Sequence, residues 1–324
     1  ARHRTTSAAN GPAAALLVLA FAFALAPGSA EARSDIRVGI GDQQVAMFDN
    51  PYFERAKFKR VRYFIAWNAM DDAARLAAAD AYVRRARASG LQVFLHVSSD
   101  DLRIKKAKLP SVSRYRSKVG RLVRHFRALG VREFGAWNEV NHASQPTWRS
   151  PRRAASYFKV MYRLVKDRCR SCTVVALDVL DQRGVERYMR SFYRALSRTW
   201  RGRARTVGIH NYGDVNRKRT RFTRDIIRTA RRYNRRSRFW FTETGGLVKF
   251  GRSFPCNQRR AANRLRQMFS LAKRYRRQGV QRIYIYNFTG AGCSARFDAG
   301  LTNPDGTPRP GYTYLRQALR NYKR

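Results

Sequence analysis

The 324 residues are enough for one large α/β barrel or two small domains, and enough to bury a substantial core. A formal charge of +47, from 68 Lys and Arg against 21 Asp and Glu, constrains neighbours rather than chemistry, because such a field attracts polyanions: acidic polysaccharide, teichoic-type polymer or anionic lipid. The cations are mostly arginine and spread over every helical pattern, which argues against a dedicated nucleic-acid arm, and no nucleic-acid recognition motif is present.

In chain order, the first feature is a basic "ARHR", an apolar run from Ala13 to Ala26, then Pro27, Gly28 and the small-residue pattern Ala30-Glu31-Ala32. This predicts a signal peptide over residues 1–32, cleaved after Ala32, and hence a secreted chain, free or held at the cell surface. An uncleaved amino-terminal anchor is the other reading, and nothing later resembles a membrane span.

From residue 33 to 324 short apolar runs alternate with long amphipathic stretches. The strand patterns are 36–40, 61–67, 91–97, 131–137, 173–179, 206–212, 238–244 and 282–288. Helical patterns follow at 51–57, 71–89, 111–129, 151–168, 183–200, 218–235, 257–278 and 311–322, several opening on a start signal: Asp71, Ser111, and Ser150 before Pro151. Eight strands, each followed by a helix, predict a single (β/α)8 TIM barrel. The rival, a doubly wound open sheet, lacks a G-x-G-x-x-G after the first strand.

Four cysteines in an exported chain predict two disulfides, against zinc or redox readings that lack convergent ligands or the right helix geometry. Cys256 and Cys293 follow barrel strands seven and eight, neighbours at one face, and should pair; Cys169 and Cys172 should then close a local loop.

A barrel active site lies at the carboxyl ends of its strands. The chain has six glutamates, and two of them, Glu139 in "AWNEVNH" and Glu243 in "FWFTETGG", end strands four and seven. Period-two parity places Phe239, Phe241 and Glu243 on one face, which makes Glu243 the top layer of the barrel interior if the phenylalanines are core, and the same parity joins Gly135, Trp137 and Glu139. Two carboxylates over one barrel mouth suit glycoside hydrolysis. Taken singly, each would read as a surface or capping residue.

These residues resemble glycoside hydrolase clan A, whose barrels carry Asn-Glu at the end of strand four and Glu at the end of strand seven. The resemblance implies Glu139 as acid/base, Asn138 as donor to the sugar 2-hydroxyl and Glu243 as nucleophile. It further implies Arg62, inside the barrel from "VRYFIAW", as the group that holds the nucleophile. His96 of "LHV" falls where several families of the clan carry a substrate-binding His, His210 and Tyr212 of "HNY" match their strand-six His-x-Tyr, and "FDAGLTNPDGTPRPGYTYL" resembles their carboxyl-terminal signature; Arg62 with a phenolic donor from Tyr212 would favour the charged form of Glu243. Glu139 is expected to stay protonated in a less polar setting beside Trp137. The implied activity is retaining cleavage of a β-linked glycan, without metal or cofactor, with a poly- or oligosaccharide substrate.

Some residues carry two readings. His96 is a sugar ligand or a buried histidine, and Trp67 and Trp148 are sugar platforms or structural. The strand-eight tryptophan of many clan members is missing from "IYNFTG", so either Phe288 is the platform or Tyr286 faces the core and none exists. Asp100, Asp101, Asp178 and Asp181 lack calcium-loop spacing and stay unassigned. The alternative function is a non-catalytic barrel that binds anionic cell-surface polysaccharide through its positive field.

Overall fold

The computed structural model describes residues 34–101 and 107–323. The expected signal peptide lies outside the described residues. Strand β1 (Ser34–Gly41) and the short helix α1 (Pro51–Ala56) are followed by β2 (Arg60–Ala66), α2 (Ala73–Ala88), β3 (Gln92–Ser98), α3 (Val112–Ala128), β4 (Glu133–Gly135), α4 (Pro151–Lys166) and β5 (Thr173–Leu180). Then come α5 (Val185–Arg194), α6 (Arg198–Arg203), β6 (Thr206–His210), α7 (Tyr212–Asn216), α8 (Arg221–Tyr233) and β7 (Arg238–Thr244). The chain ends with β8 (Lys249–Phe250), α9 (Gln258–Tyr275), β9 (Val280–Tyr286), β10 (Phe297–Asp298), α10 (Pro310–Ala318) and β11 (Tyr322–Lys323).

Strands β1 to β7 and β9 pair in parallel in sequence order, and β9 returns to β1 from Arg37↔Arg282 to Gly41↔Tyr286. The eight-stranded sheet is therefore closed, with helices outside: a TIM barrel. Helix starts follow from local chemistry. Asp72, not Asp71, caps α2 by accepting from Arg75 N (3.0 Å), while Asp71 meets Lys118 (2.8 Å) and Arg121 (3.1 Å) of α3. Ser111 caps α3 (3.1 Å to Arg114 N), and Pro151 opens α4 at the position where its missing N–H costs nothing. The predicted 183–200 helix is two, because Ser197 starts α6 by accepting from Trp200 N.

Two layers of apolar packing hold the barrel. The larger joins outward-facing strand residues to the helices and includes Phe239 and Phe241; the smaller, made of Phe94, Val175, Trp240 and Tyr284, comes from strands alone and fills the interior. The parity expected on strand seven is thus reversed, with Trp240 and Thr242 inside. Glu243 still reaches the interior because β7 holds one extra residue: its pairing to β6 steps from Gly208↔Trp240 to His210↔Glu243. Such a bulge re-aims the side chain that follows it. Strand β5 uses the same device between Val175 and Leu177, which brings Val175 and Asp178 to one side.

The floor of the barrel is ionic. Arg282 Nη1 lies 2.6 Å from both oxygens of Glu133, and its guanidinium lies 3.9 Å from the Trp240 ring centre, all three residues being buried. Desolvation and a negative partner oppose one another there, and the nearby Glu133 and Tyr284 win, raising the Arg282 pKa. At the other end, Asp298 and Arg309 of the carboxyl-terminal stretch form a buried two-pronged pair with both distances 2.9 Å, and Asp298 also accepts from Gly292 N and Gly300 N. Among the described residues, no helix is long and apolar enough to cross a membrane.

Candidate active site

Strand β4 stops at Gly135, where a Cβ would sit 2.0 Å from Cδ2 of His96; only glycine lets that ring lie flat inside the barrel. The backbone continues in extended contact, Asn138 N bonding to Val97 O and Val140 N to Asp178 O. Between them Glu139 adopts φ 44°, a left-handed conformation that a residue with a side chain holds only when its surroundings enforce it. The enforcing bond is Glu139 N to Asp178 Oδ2 (3.1 Å). Asn141 fixes the far side, bonding to the carbonyl and amide of Leu180. The groups that close the strand thus serve three neighbours: the Asn141 amide and the Glu139 backbone N–H tie it to β5, the Asn138 amide meets Arg62 of β2, and the Glu139 carboxylate meets His210 of β6.

This turn corrects the second parity expectation. Trp137 points to the helices, stacked on Tyr157 at 5.1 Å with its Nε1 on Gln145 Oε1, and does not supply the setting of the Glu139 carboxyl. That setting is His210, whose Nδ1 lies 3.0 Å from Glu139 Oε1 and 3.7 Å from Glu243 Oε2. One imidazole nitrogen thus adjoins both carboxylates.

Arg62 is buried inside the barrel and branches three ways: Nη1 to Glu243 Oε2 (2.8 Å), Nη2 to Asn138 Oδ1 (2.5 Å), and Nη2 to His96 Nδ1 (3.3 Å). Tyr212 OH donates to Glu243 Oε1 (3.2 Å). Glu139, Glu243, Asn138, Arg62, His210 and Tyr212, all singled out from the sequence, therefore converge. His96 lies one layer below them with no exposed surface, which places it in support of Arg62 rather than against a ligand.

The platform readings separate. Phe288 is 1% exposed and packs edge-on against Phe53, and Trp67 is 3% exposed within the core, so both take the structural reading and neither presents a ring face. Trp148 is exposed, with Arg149 over its ring at 4.1 Å. Tyr286, half-buried at the end of β9, faces the mouth: burial first, and then the charges of Glu243, Asp42 and Glu139, raise its pKa.

Asp178 is one of four aspartates, with Asp100, Asp101 and Asp181, to which the sequence assigns no role. It is buried, approaches His210 Nε2 at 2.9 Å and His96 Nε2 at 3.9 Å, and accepts from Thr242 Oγ1 as well as Glu139 N. Its signal was an acid near the end of an otherwise apolar strand. Burial opposes its charge, but His210 and Arg62 hold its carboxyl below the usual range. Burial likewise opposes a charge on His210, yet the nearby charges of Asp178 and Glu243, with the hydrogen bond to Glu139, raise it to about 10. Glu139 is desolvated too, but His210 outweighs that and lowers its pKa, contrary to the protonated acid expected from sequence. Burial takes His96 down to about 3, so it stays neutral.

Two carboxylates gather with an arginine, an asparagine and a tyrosine at the mouth of a (β/α)8 barrel, an arrangement that fits the class of barrel glycoside hydrolases. The chain belongs to the glycosyl hydrolase catalytic core family, whose model matches residues 123–314, more than half of its length. Solved structures share the fold. A glucosidase from Croceicoccus marinus superposes with TM-score 0.67 at 15% identity, over 90% of this chain and 66% of that one. A GH10 protein from Paenibacillus barcinonensis gives 0.61 at 16%, over 89% and 96%, and a GH39 beta-xylosidase from Caulobacter crescentus gives 0.58 at 16%, over 89% and 72%. This chain thus spans about two thirds of the length of the glucosidase. No curated protein matches its sequence.

Proposed function

We propose that the protein is an exported, retaining glycoside hydrolase that cleaves a β-linked glycan, with residues 1–32 as its signal peptide and 33–324 as its catalytic domain. The observation that carries the reading is the contact of both carboxylates with one nitrogen of His210. It supports the short separation, about 5 to 5.5 Å, at which one carboxylate attacks sugar directly with no intervening water.

In the first step an oxygen of Glu243 bonds to the anomeric carbon, the glycosidic bond breaks, and Glu139 gives its proton to the departing oxygen. In the second, water adds to the anomeric carbon as Glu139 takes its proton and Glu243 leaves, so the configuration is retained. Arg62 and Tyr212 keep Glu243 oriented and stabilise its charge, and Asn138, its carbonyl fixed by Arg62, offers amide N–H groups to the 2-hydroxyl. The proton for the leaving group resides on the Glu139–His210 pair: on the imidazole at rest, and on Glu139 once bound sugar removes the remaining water from the carboxylate. Two disulfides, Cys169–Cys172 and Cys256–Cys293, accord with export.

The test is a screen of aryl β-glycosides and β-glycans with the parent protein and Glu243→Ala. Turnover that the variant loses, and that azide restores as the inverted glycosyl azide, supports the reading. Absence of turnover across the screen, with salt-sensitive binding alone, would favour the non-catalytic polymer-binding barrel.

A further inference from the structure

Beside the mouth stands a small arm built from β8 and β10, which pair antiparallel with Phe250 opposite Phe297. Its tip turns back on itself through Phe250 N to Phe254 O (2.9 Å) and Phe254 N to Phe250 O (3.1 Å), with Gly251 at φ 48° bonded to Arg296 O (2.8 Å). Cys256–Cys293 staples its base. The ring of Phe250 is 41% exposed on this braced hairpin.

A single exposed phenylalanine needs no explanation. This one ends a row. Phe250 meets Phe297 at 6.0 Å, and the half-buried Phe297 meets Tyr286 at 6.2 Å and Tyr212 at 5.8 Å, Tyr212 being bonded to Glu243. Aromatic rings therefore run without interruption from the reacting carboxylate to solvent, although Phe288 is buried and the strand-eight tryptophan is missing. The arm is also cationic. Lys249, Arg252 and Arg296 lie on it, Arg217 sits 5.0 Å over the Phe254 ring, and the one acid of the arm, Asp298, is consumed by Arg309.

We propose that Phe297 and Phe250, whose rings stand nearly at right angles (80°), line successive outer sugar subsites, and that Lys249, Arg252 and Arg296 select a glycan carrying carboxylate groups, so that the substrate is an acidic β-glycan. Pyranose rings present apolar C–H faces that stack on aromatic rings, and uronate carboxylates two-fold suit guanidinium donors. Because the hairpin is braced before ligand arrives, little ordering entropy is lost on binding. The inference rests on the glycosidase reading for the direction in which the glycan runs, but its test is binding, not turnover.

The protein for the test is Glu243→Gln, run by affinity electrophoresis in gels containing carboxymethylcellulose or glucuronoxylan, with hydroxyethylcellulose as the neutral comparison. Retardation is expected in at least one anionic gel and should weaken roughly tenfold with Phe250→Ala or Phe297→Ala. Phe250→Trp should restore it and report the ligand by a shift in its emission. Arg252→Ser with Arg296→Ser should remove the preference for the anionic gel, whereas Arg152→Ser with Arg194→Ser, an equal charge change on the exposed surface of α4 and α5, should not. No retardation in any gel, unaltered retardation by the phenylalanine variants, or equal loss in both arginine pairs would overturn the proposal. Arm-dependent binding without turnover of any glycoside by the parent protein would instead refute the glycosidase reading alone.

Discussion

Asp178 Oδ2 lies 2.9 Å from Nε2 of His210, and the other ring nitrogen of His210 meets Glu139. The buried aspartate thereby helps set how firmly His210 holds a proton, and in the proposed mechanism the Glu139–His210 pair is the reservoir that protonates the leaving group. Because the charge of Asp178 helps raise the His210 pKa to about 10, Asp178→Asn should lower it, and the pair should lose its proton at lower pH. The alkaline limb of kcat/KM is therefore expected to move downward by a unit or so, about 1.4 kcal/mol of lost interaction. An upward shift would mean that His210 acts on Glu139 through its charge alone.

Arg62 uses separate nitrogens for Glu243 and Asn138. A lysine has one compact head group and cannot serve both at those positions. Arg62→Lys should thus retain folding yet reduce kcat on the order of 10²-fold, as misplacement of a reacting group does. A thermal melt and steady-state kinetics on an activated aryl glycoside separate the two effects.

The floor ion pair is far from the reacting carboxylates in the barrel and should matter for stability only. Glu133→Gln leaves Arg282 charged and buried without its partner, which costs about 3 to 5 kcal/mol. Denaturant unfolding should show that loss, while the folded fraction should keep its kcat.

Cys256–Cys293 ties the arm to the barrel, whereas Cys169–Cys172 closes a loop with a sequence separation of only 3. Mild reduction should therefore raise KM for long glycans before the circular dichroism of the barrel changes. Cys169→Ser with Cys172→Ser should not reproduce the effect.

The barrel was legible because alternation of strand and helix survives local irregularity, and every predicted strand lies in the closed sheet. Residue facing was less legible. Phe239 and Phe241 were assigned to the interior by strict alternation, and the β7 bulge, which depends on pairing with β6 and not on local sequence, reversed them. Trp137 was misassigned because β4 ends two residues before it and Glu139 is left-handed. The motifs "WNE" and "TET" nevertheless located both glutamates, since a motif keeps its place whatever the backbone does between. Asp178 was missed because its role comes from three partners on β3, β6 and β7 that are distant in sequence. The arm was missed because strands of two residues carry no periodicity.

The central claim is that Glu243 bonds to the sugar. It is tested most directly by incubating the protein with a 2-deoxy-2-fluoro analogue of the aryl glycoside it turns over, then mapping the adduct by peptide mass spectrometry. The account predicts one glycosyl group, on Glu243, in a protein whose first free product keeps its anomeric configuration. An adduct on Glu139, or no adduct together with an inverted first product, would contradict it.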